Sequence, residues 1–256
     1  MNIVVVRRAV RDPGSFTVNW RAEKIFVHRE QYICNPADRN ALEAALQLAG
    51  QDDTVVAVAF GGAPAEDVLR QARTTGAKRA LLVRDTALKS ADVSVMTTAL
   101  QRLIQHLGEV ALVLLGAEVL DADLAQVGPR LAAALEWPFI ESAHQLSLGD
   151  PTTVTAIAPQ PDGFHKLEAP LPAVVSIAPH SNKPRYAPGA NIINVYTAKD
   201  AVETLTAADL HMTEADLTPL TEYRGESFPP ERELGKRLEG SLDEMARQVA
   251  EVIRRA

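Results

Sequence analysis

The chain has 256 residues, 46% hydrophobic and 23% charged, enough for one large α/β domain or one and a half ordinary ones. Its 26 basic and 33 acidic residues leave a net charge of −7 with no long basic run, which argues against nucleic acid as a partner. A single cysteine excludes an internal disulfide and a cysteine-cluster metal site; no apolar run approaches the roughly 20 residues of a membrane span, and the opening MNIVVVRRAV does not read as a secretory signal, so a soluble, cytoplasmic protein is expected.

Ile3–Val6 is a continuous β-branched run and reads as a buried parallel strand. Thr17–Val18 and Ile25–His28 read as a small hairpin around Asn19–Lys24. In CNPADRNALEAALQLAG, Asn35 can cap a helix, Pro36 suits its first position, and Asp38 sits in the first turn, where the helix dipole favours an anion. Leu42, Ala45, Leu46 and Ala49 mark the apolar face of that helix and Gly50 ends it. Thr54–Ala59 is the next strand, Phe60-Gly61-Gly62-Ala63 a tight loop, and Pro64–Thr75 a helix closed by Gly76. Arg79–Val83 is a strand, Val93–Leu107 a helix and Ala111–Leu115 a strand. Strands and helices that alternate with short connections imply a parallel sheet with right-handed crossovers.

After Trp137-Pro138 the character changes. Gln145–Leu148 and Thr152–Ala158 read as strands flanking Gly149-Asp150-Pro151, and Ala173–Ile177 as another buried strand. Pro179–Asn191, rich in Pro, Asn and Gly, reads as a loop, and Ala198–Leu205 as a short helix. Thr206–Gly240 is polar, carries Pro219, Pro229 and Pro230, and lacks the apolar periodicity of an independent core; it reads as an extended arm. Ser241-Leu242-Asp243-Glu244 is a capping box opening a last helix whose apolar side is Met245, Val249 and Val252. The expected division is a nucleotide-binding domain over 1–205 and an arm with its helix over 206–256. Such an arm either folds back on its own domain or wraps a partner subunit.

The segment Gly116–Gly128, GAEVLDADLAQVG, follows a buried strand and runs into the helical pattern RLAAAL. Ligands of open α/β sheets sit at carboxyl ends of strands, where helix amino termini offer free N–H groups, so a nucleotide is the natural candidate here; the other reading is an ordinary strand–helix connection with an acidic tip. Gly61 and Gly62 likewise permit close backbone approach before a helix. Arg7-Arg8 at a strand end either approach an anion or are solvated. The six histidines show no metal-ligand spacing, so no metal site is expected, and Cys34 reads as a small buried hydrophobe.

Five segments in order resemble the β subunit of electron-transfer flavoproteins: the first strand ending in Arg7-Arg8, NPADRNALEAAL, VAVAFGGAPAEDVLRQARTTGAKRALLV, LVLLGAEVLDADLAQVGPRLAAALEWP and LPAVVSIAPHSNKPRYAPGANI. The tail PPERELGKRLEG before a final helix is similar to the arm of part of that family. The resemblance implies an α/β, Rossmann-like, doubly wound and mostly parallel sheet with a C-terminal extended arm and terminal helix. It implies an electron carrier that performs no chemistry alone, in a heterodimer with an α subunit that holds most of an FAD. Dehydrogenases would supply electrons and a membrane quinone oxidoreductase would receive them. The compartment would be the cytoplasm, or the mitochondrial matrix in a eukaryote. The β subunit itself would bury AMP or a second FAD. Carried over, the pocket would use Val5, Asn35, Pro36, Ala37, Asp38, Phe60, Gly61 and the run Gly116, Ala117, Glu118, Val119, Leu120, Asp121, Ala122, Asp123, Leu124, Ala125, Gln126 and Val127. Asp121 and Asp123 would cap helix N–H groups or accept from ribose hydroxyls.

The run DADLAQVG is closer to the D-G-D-T-A-Q-V-G pattern of the bifurcating and nitrogen-fixation-associated branch than to the D-D-D-x-N-Q-T-G of the ordinary one. The first loop, however, lacks that branch's valine-proline-aspartate, and Ala37 replaces an aromatic that contacts flavin in the family. In the family a loop corresponding to Gly163–Pro170 docks partner dehydrogenases through an exposed leucine, here Leu167; the alternation of His165, Leu167 and Ala169 also fits a strand with Leu167 packed inward. Lys183-Pro184-Arg185-Tyr186 suits an interface. The alternative function is a stand-alone adenine-nucleotide-binding protein of the same fold, although neither an S-G-G-x-D-S loop nor a late G-x-x-G…G-[ST] loop is present.

Overall fold

The computed structural model describes the chain except residues 121–124, 151, 223, 226, 231–234, 236 and 256. Two compact units emerge, one of Met1–Val18 with Ile25–Tyr223 and one of Asn19–Lys24 with Arg224–Ala256. In chain order the elements are β1 (Asn2–Val6), β2 (Ala9–Arg11), β3 (Phe16–Asn19), β4 (Lys24–Val27), β5 (Tyr32–Cys34), α1 (Pro36–Leu48), β6 (Thr54–Phe60), α2 (Ala63–Thr75), β7 (Arg79–Val83), α3 (Val93–Leu107), β8 (Val110–Gly116) and α4 (Val127–Leu135). There follow β9 (Phe139–Ala143), β10 (Gln145–Asp150), β11 (Thr153–Gln160), β12 (Gly163–Pro170), β13 (Ala173–Ile177), α5 (Gly189–Thr197), β14 (Glu203–Leu205) and α6 (Leu242–Arg255).

Seven strands form one sheet in the order β14-β7-β6-β1-β8-β13-β9, with every pairing parallel. From the central β1 the chain winds out to β6 and β7, then crosses back through α3 to β8 on the other side. This is the doubly wound α/β sheet expected from the alternating pattern. Successive residues of β1 serve opposite layers. Ile3 and Val5 join the core under α1 and α2, whereas Val4 and Val6 join the core under α3 and α4. A strand buried on both faces needs an unbroken apolar run, which explains the IVVV of β1 and the VVAVA of β6.

Several expectations are corrected. The segment 163–170 is not a loop but the edge strand of an antiparallel meander, β10-β11-β12, in which Leu167 lies opposite Ala156. Its side chain is half-buried against the core under α1, the inward packing that the alternation of His165, Leu167 and Ala169 also allows. The short helix expected over 198–205 is displaced. Helix α5 begins at Gly189, inside the expected loop, and ends at Thr197, and residues 203–205 instead form β14. The open edge of β7 accounts for this strand: Glu203 pairs with Arg79 at 2.8 Å while Leu205 lies beside Val83. Strand β9 and the small antiparallel pair β2–β5 were unexpected.

The expected division at residue 205 falls inside the first unit. Ala207 and Leu210 are buried, and Asp92 fastens the following stretch by accepting the N–H groups of Leu220 and Thr221 at 2.9 Å each, while its other oxygen caps α3 at Val95. In the second unit Trp20 meets Phe228 edge to face at 5.8 Å. The capping box at the head of α6 forms as read: Ser241 N–H donates to Glu244 Oε2 at 2.8 Å and Glu244 N–H donates to Ser241 Oγ at 3.4 Å. No helix among the described residues is long and apolar enough to cross a membrane.

Candidate functional site

The carboxyl ends of β1, β6 and β8 meet where the winding of the sheet reverses, the position at which open α/β sheets bind ligands. A cavity of about 150 Å³ opens there, walled by Val6, Phe60, Leu115, Val119 and Val127 and by Met96 and Leu100 of α3. Helices α2 and α4 both begin at this edge, at Gly62 and Gln126, and neither of these two residues caps its helix through a side chain, so among the described residues the first N–H groups are open to an anion. Gly61, which turns β6 into α2, has φ +131°, a conformation that glycine adopts without a side-chain penalty.

Beside the cavity, α1 is latched to the sheet by a buried carboxylate. Asp38, wholly inaccessible, accepts the Arg8 backbone N–H and Nε at 2.9 Å each, Arg8 Nη2 at 2.5 Å and Gly116 N–H at 3.0 Å. The fit at Gly116 is close: a Cβ there would stand 2.6 Å from both Ala37 Cβ and Asp38 Oδ1. Gly116 is therefore a glycine because α1 lies against it. Asn35 precedes α1 but makes no side-chain cap; its amide donates across to Glu118 O at 2.7 Å, while its backbone N–H donates to Arg8 O at 2.9 Å. This overrides the local capping expectation, because a buried amide gains more from a partner it alone can reach.

The sequence-derived residues divide accordingly. Phe60, Val119 and Val127 line the cavity. Asn35, Ala37, Asp38, Gly116 and Glu118 build the latch beside it, with Pro36 opening α1 and Gly61 opening the turn into α2. Val5 is buried beneath, in the core under α1, and its neighbour Val6 faces the cavity, as strand alternation requires. Ala117 binds Ile177 O through its N–H, Leu120 is about half exposed, and Ala125 and Gln126 are exposed just before α4. Asp121, Ala122, Asp123 and Leu124 lie outside the described residues. Cys34 is buried and its thiol is pushed up to about 11 by desolvation, so it stays protonated and unreactive. No group of three or more potential metal ligands is found among the described residues.

A second set of contacts was missed from sequence. Asn40 and Glu43, one helical turn apart on α1, are both buried and both hold the loop after β13. Asn40 Nδ2 donates to Asn182 Oδ1 at 2.9 Å, and Asn182 Nδ2 returns a bond to Asn40 O at 2.9 Å. Glu43 accepts Arg185 Nε at 2.8 Å and Nη2 at 3.0 Å, a bidentate pair. Desolvation works against the Glu43 charge, but Arg185 and Gln47 outweigh it and hold the carboxyl below its ordinary value. Polar residues spaced as Asp38, Asn40 and Glu43 on the buried side of an otherwise amphipathic helix were the available signal.

The family model described as the electron transfer flavoprotein domain matches residues 24–210. The chain belongs to the electron transfer flavoprotein family, as a β-type subunit. It is 30% identical over 242 residues to the electron transfer flavoprotein subunit beta of Thermoanaerobacterium thermosaccharolyticum, covering 89% of this chain and 92% of that one. It is 30% identical to the corresponding subunit of Bos taurus, covering 96% and 95%. It is 29% identical over 198 residues to subunit CarD of the caffeyl-CoA reductase-Etf complex of Acetobacterium woodii, covering 77% and 75%. The matched stretch takes in α1 with Asp38 and six of the seven strands of the sheet, while β1 and Arg8 precede it.

Proposed function

We propose that the edge cavity holds an adenine nucleotide, the portion common to AMP and FAD, as a fixed part of the subunit. The chain then serves as one half of a heterodimer with a flavin-bearing α subunit, taking electrons from dehydrogenases and passing them to a downstream acceptor such as a membrane quinone oxidoreductase. The observation that carries the nucleotide is the cavity at the switch point, mostly apolar but bordered by Arg7 and Arg8, flanked by two helix starts that no described side chain caps. Phe60, Val119 and Val127 offer apolar surface to a base, and the starts of α2 and α4 offer N–H groups to phosphate. The cavity is smaller than the roughly 300–1,000 Å³ of ordinary ligand sites, which suits the base rather than a whole dinucleotide.

The partner's flavin, when bound, supplies the redox chemistry. The residues here exclude water and fix the strand ends: the Asp38–Arg8 latch sets the distance between β1, β8 and α1, and Asn35 holds the segment at Glu118. Nucleotide released by denaturing the purified protein, identified by mass, tests the first half of the reading. A chain free of adenine nucleotide, or one that stays monomeric when co-expressed with the α subunit, would refute it; bound nucleotide in a stable monomer would favour the stand-alone binding protein.

A further inference from the structure

A larger cavity, about 450 Å³, lies between α1, α2, α5 and the loop after β13. Its volume falls inside the usual range for small-molecule sites. Arg7 and Arg39 line it, as do Leu42, Ile192, Tyr186 and Tyr196.

Arg7 is the unusual residue. Strand alternation turns it toward the layer that takes Ile3 and Val5, and only 3% of it is accessible. Its Nη1 donates to Asp38 O at 3.0 Å, but its Nε is buried without a partner, and no carboxylate among the described residues lies within ion-pair distance. The neighbouring Asp38 charge is taken up by Arg8. Arginine does not shed its proton to escape burial, so the side chain holds a desolvated, uncompensated charge. Arg39, exposed on the next face of α1, also has no ion pair among the described residues. Arg185 at the same cavity is neutralised by Glu43.

The remaining charge is therefore that of two guanidiniums, which matches a phosphate dianion better than a carboxylate. The rest of the wall is mixed: Glu43, already paired with Arg185, and the neutral Gln71, Thr74 and Thr75 stand beside Leu42, Ile192, Tyr186 and Tyr196. Ile192 is 43% exposed and Tyr186 87% exposed, and Tyr196, its hydroxyl bound to Asp67 at 2.8 Å and raised by desolvation to about 12, remains neutral. We propose that this cavity binds a phosphate monoester carried on an apolar, planar body, with the phosphate at Arg7 and Arg39 and the body against Leu42, Ile192 and Tyr186. The site is separate from the nucleotide proposed at the sheet edge, although Arg7 also borders that smaller cavity.

Phenyl phosphate and inorganic phosphate, titrated calorimetrically into the full chain, test the proposal. Phenyl phosphate should bind one to one and more tightly than inorganic phosphate. Arg39→Gln and Ile192→Glu, both at solvent-exposed positions, should each weaken it about tenfold while leaving the circular dichroism spectrum of the parent intact. Met96→Trp, which fills the edge cavity instead, should leave it unchanged. No binding at millimolar probe, equal affinity for the two probes, indifference to Arg39→Gln and Ile192→Glu, or loss in Met96→Trp would each overturn the assignment; the last would give Arg7 to the edge cavity.

Discussion

Arg8 and Asp38 hold each other through one backbone and two side-chain hydrogen bonds at the point where β1 has ended and α1 begins. Asp38 is completely buried and the Arg8 side chain is 14% exposed, so this is a largely interior ion pair whose carboxylate has no water to fall back on. Removing one member is expected to cost far more than the pair contributes, because the survivor keeps its desolvation penalty. Asp38→Ala should lower unfolding free energy by about 3–5 kcal/mol in urea titration. Gly116→Ala should cost about 1–3 kcal/mol, since the added methyl meets Ala37 and Asp38 at 2.6 Å. A neutral result for either would mean that α1 is not held here.

Two adjacent glycines separate backbone conformation from space. A Cβ at Gly62 meets nothing within 4 Å, whereas Gly61 has φ +131°. Gly62→Ala should retain the bound nucleotide and Gly61→Val should lose most of it, as measured by nucleotide released per mole of folded protein. Equal content in both would remove this turn from the proposed site.

The Glu43–Arg185 pair should make part of the stability depend on pH. The folded carboxyl is held below its ordinary value of 4.5, so it binds fewer protons folded than unfolded. Its contribution is complete above about pH 4.5 and disappears as pH falls through the lower folded value. Glu43→Gln should be less stable than the parent by about 1–3 kcal/mol near neutrality, with the difference shrinking in acid. A constant difference between pH 7 and pH 3 would contradict the linkage.

Leu167 packs on the core while Phe164 in the same strand is 63% exposed. Leu167→Ala should therefore lower the melting free energy by about 1–2 kcal/mol, less than a fully buried leucine would. Phe164→Ala should leave stability nearly unchanged. The reverse order would show that β12 presents its other face.

Ser241→Ala removes the Oγ that caps α6 and should cost that helix about 0.5–2 kcal/mol, visible as lost helical signal in circular dichroism. Unaltered helicity would show that Gly240 and the backbone alone start the helix.

The parts of the fold that repeat a local rule were readable from the chain. Runs such as IVVV and TVVAVA read as strands buried on both faces, and Gly76 marks a helix end with positive φ. Asp38 shows where that kind of reading stops. Its position in the first turn of α1 is a local fact, but its partners are Arg8, just past β1, and Gly116 at the end of β8, 78 residues further on. Asn35 is similar: local chemistry recommends a cap, and a carbonyl 83 residues away takes the amide instead. Strand β14 has no apolar run of its own. It exists because an edge is open beside it, and that information sits in β7. The cavity walls at Phe60, Val119 and Val127 followed from the strand-end rule together with the family resemblance, whereas the Asn40 and Glu43 contacts needed the position of a distant loop.

The last strand of the sheet also has a bearing on how the protein is made. Because β14 closes the flank of β7 with residues synthesised more than a hundred positions later, a nascent chain displays the β7 backbone edge throughout translation of everything between Val83 and Glu203. Unpaired parallel edges are templates for association with other chains. A ribosome stalled, or a gene truncated, between Ile177 and Glu203 therefore leaves a polypeptide that has the other six strands of the sheet but an open flank, and such fragments should be chaperone clients and aggregate more readily than the full chain.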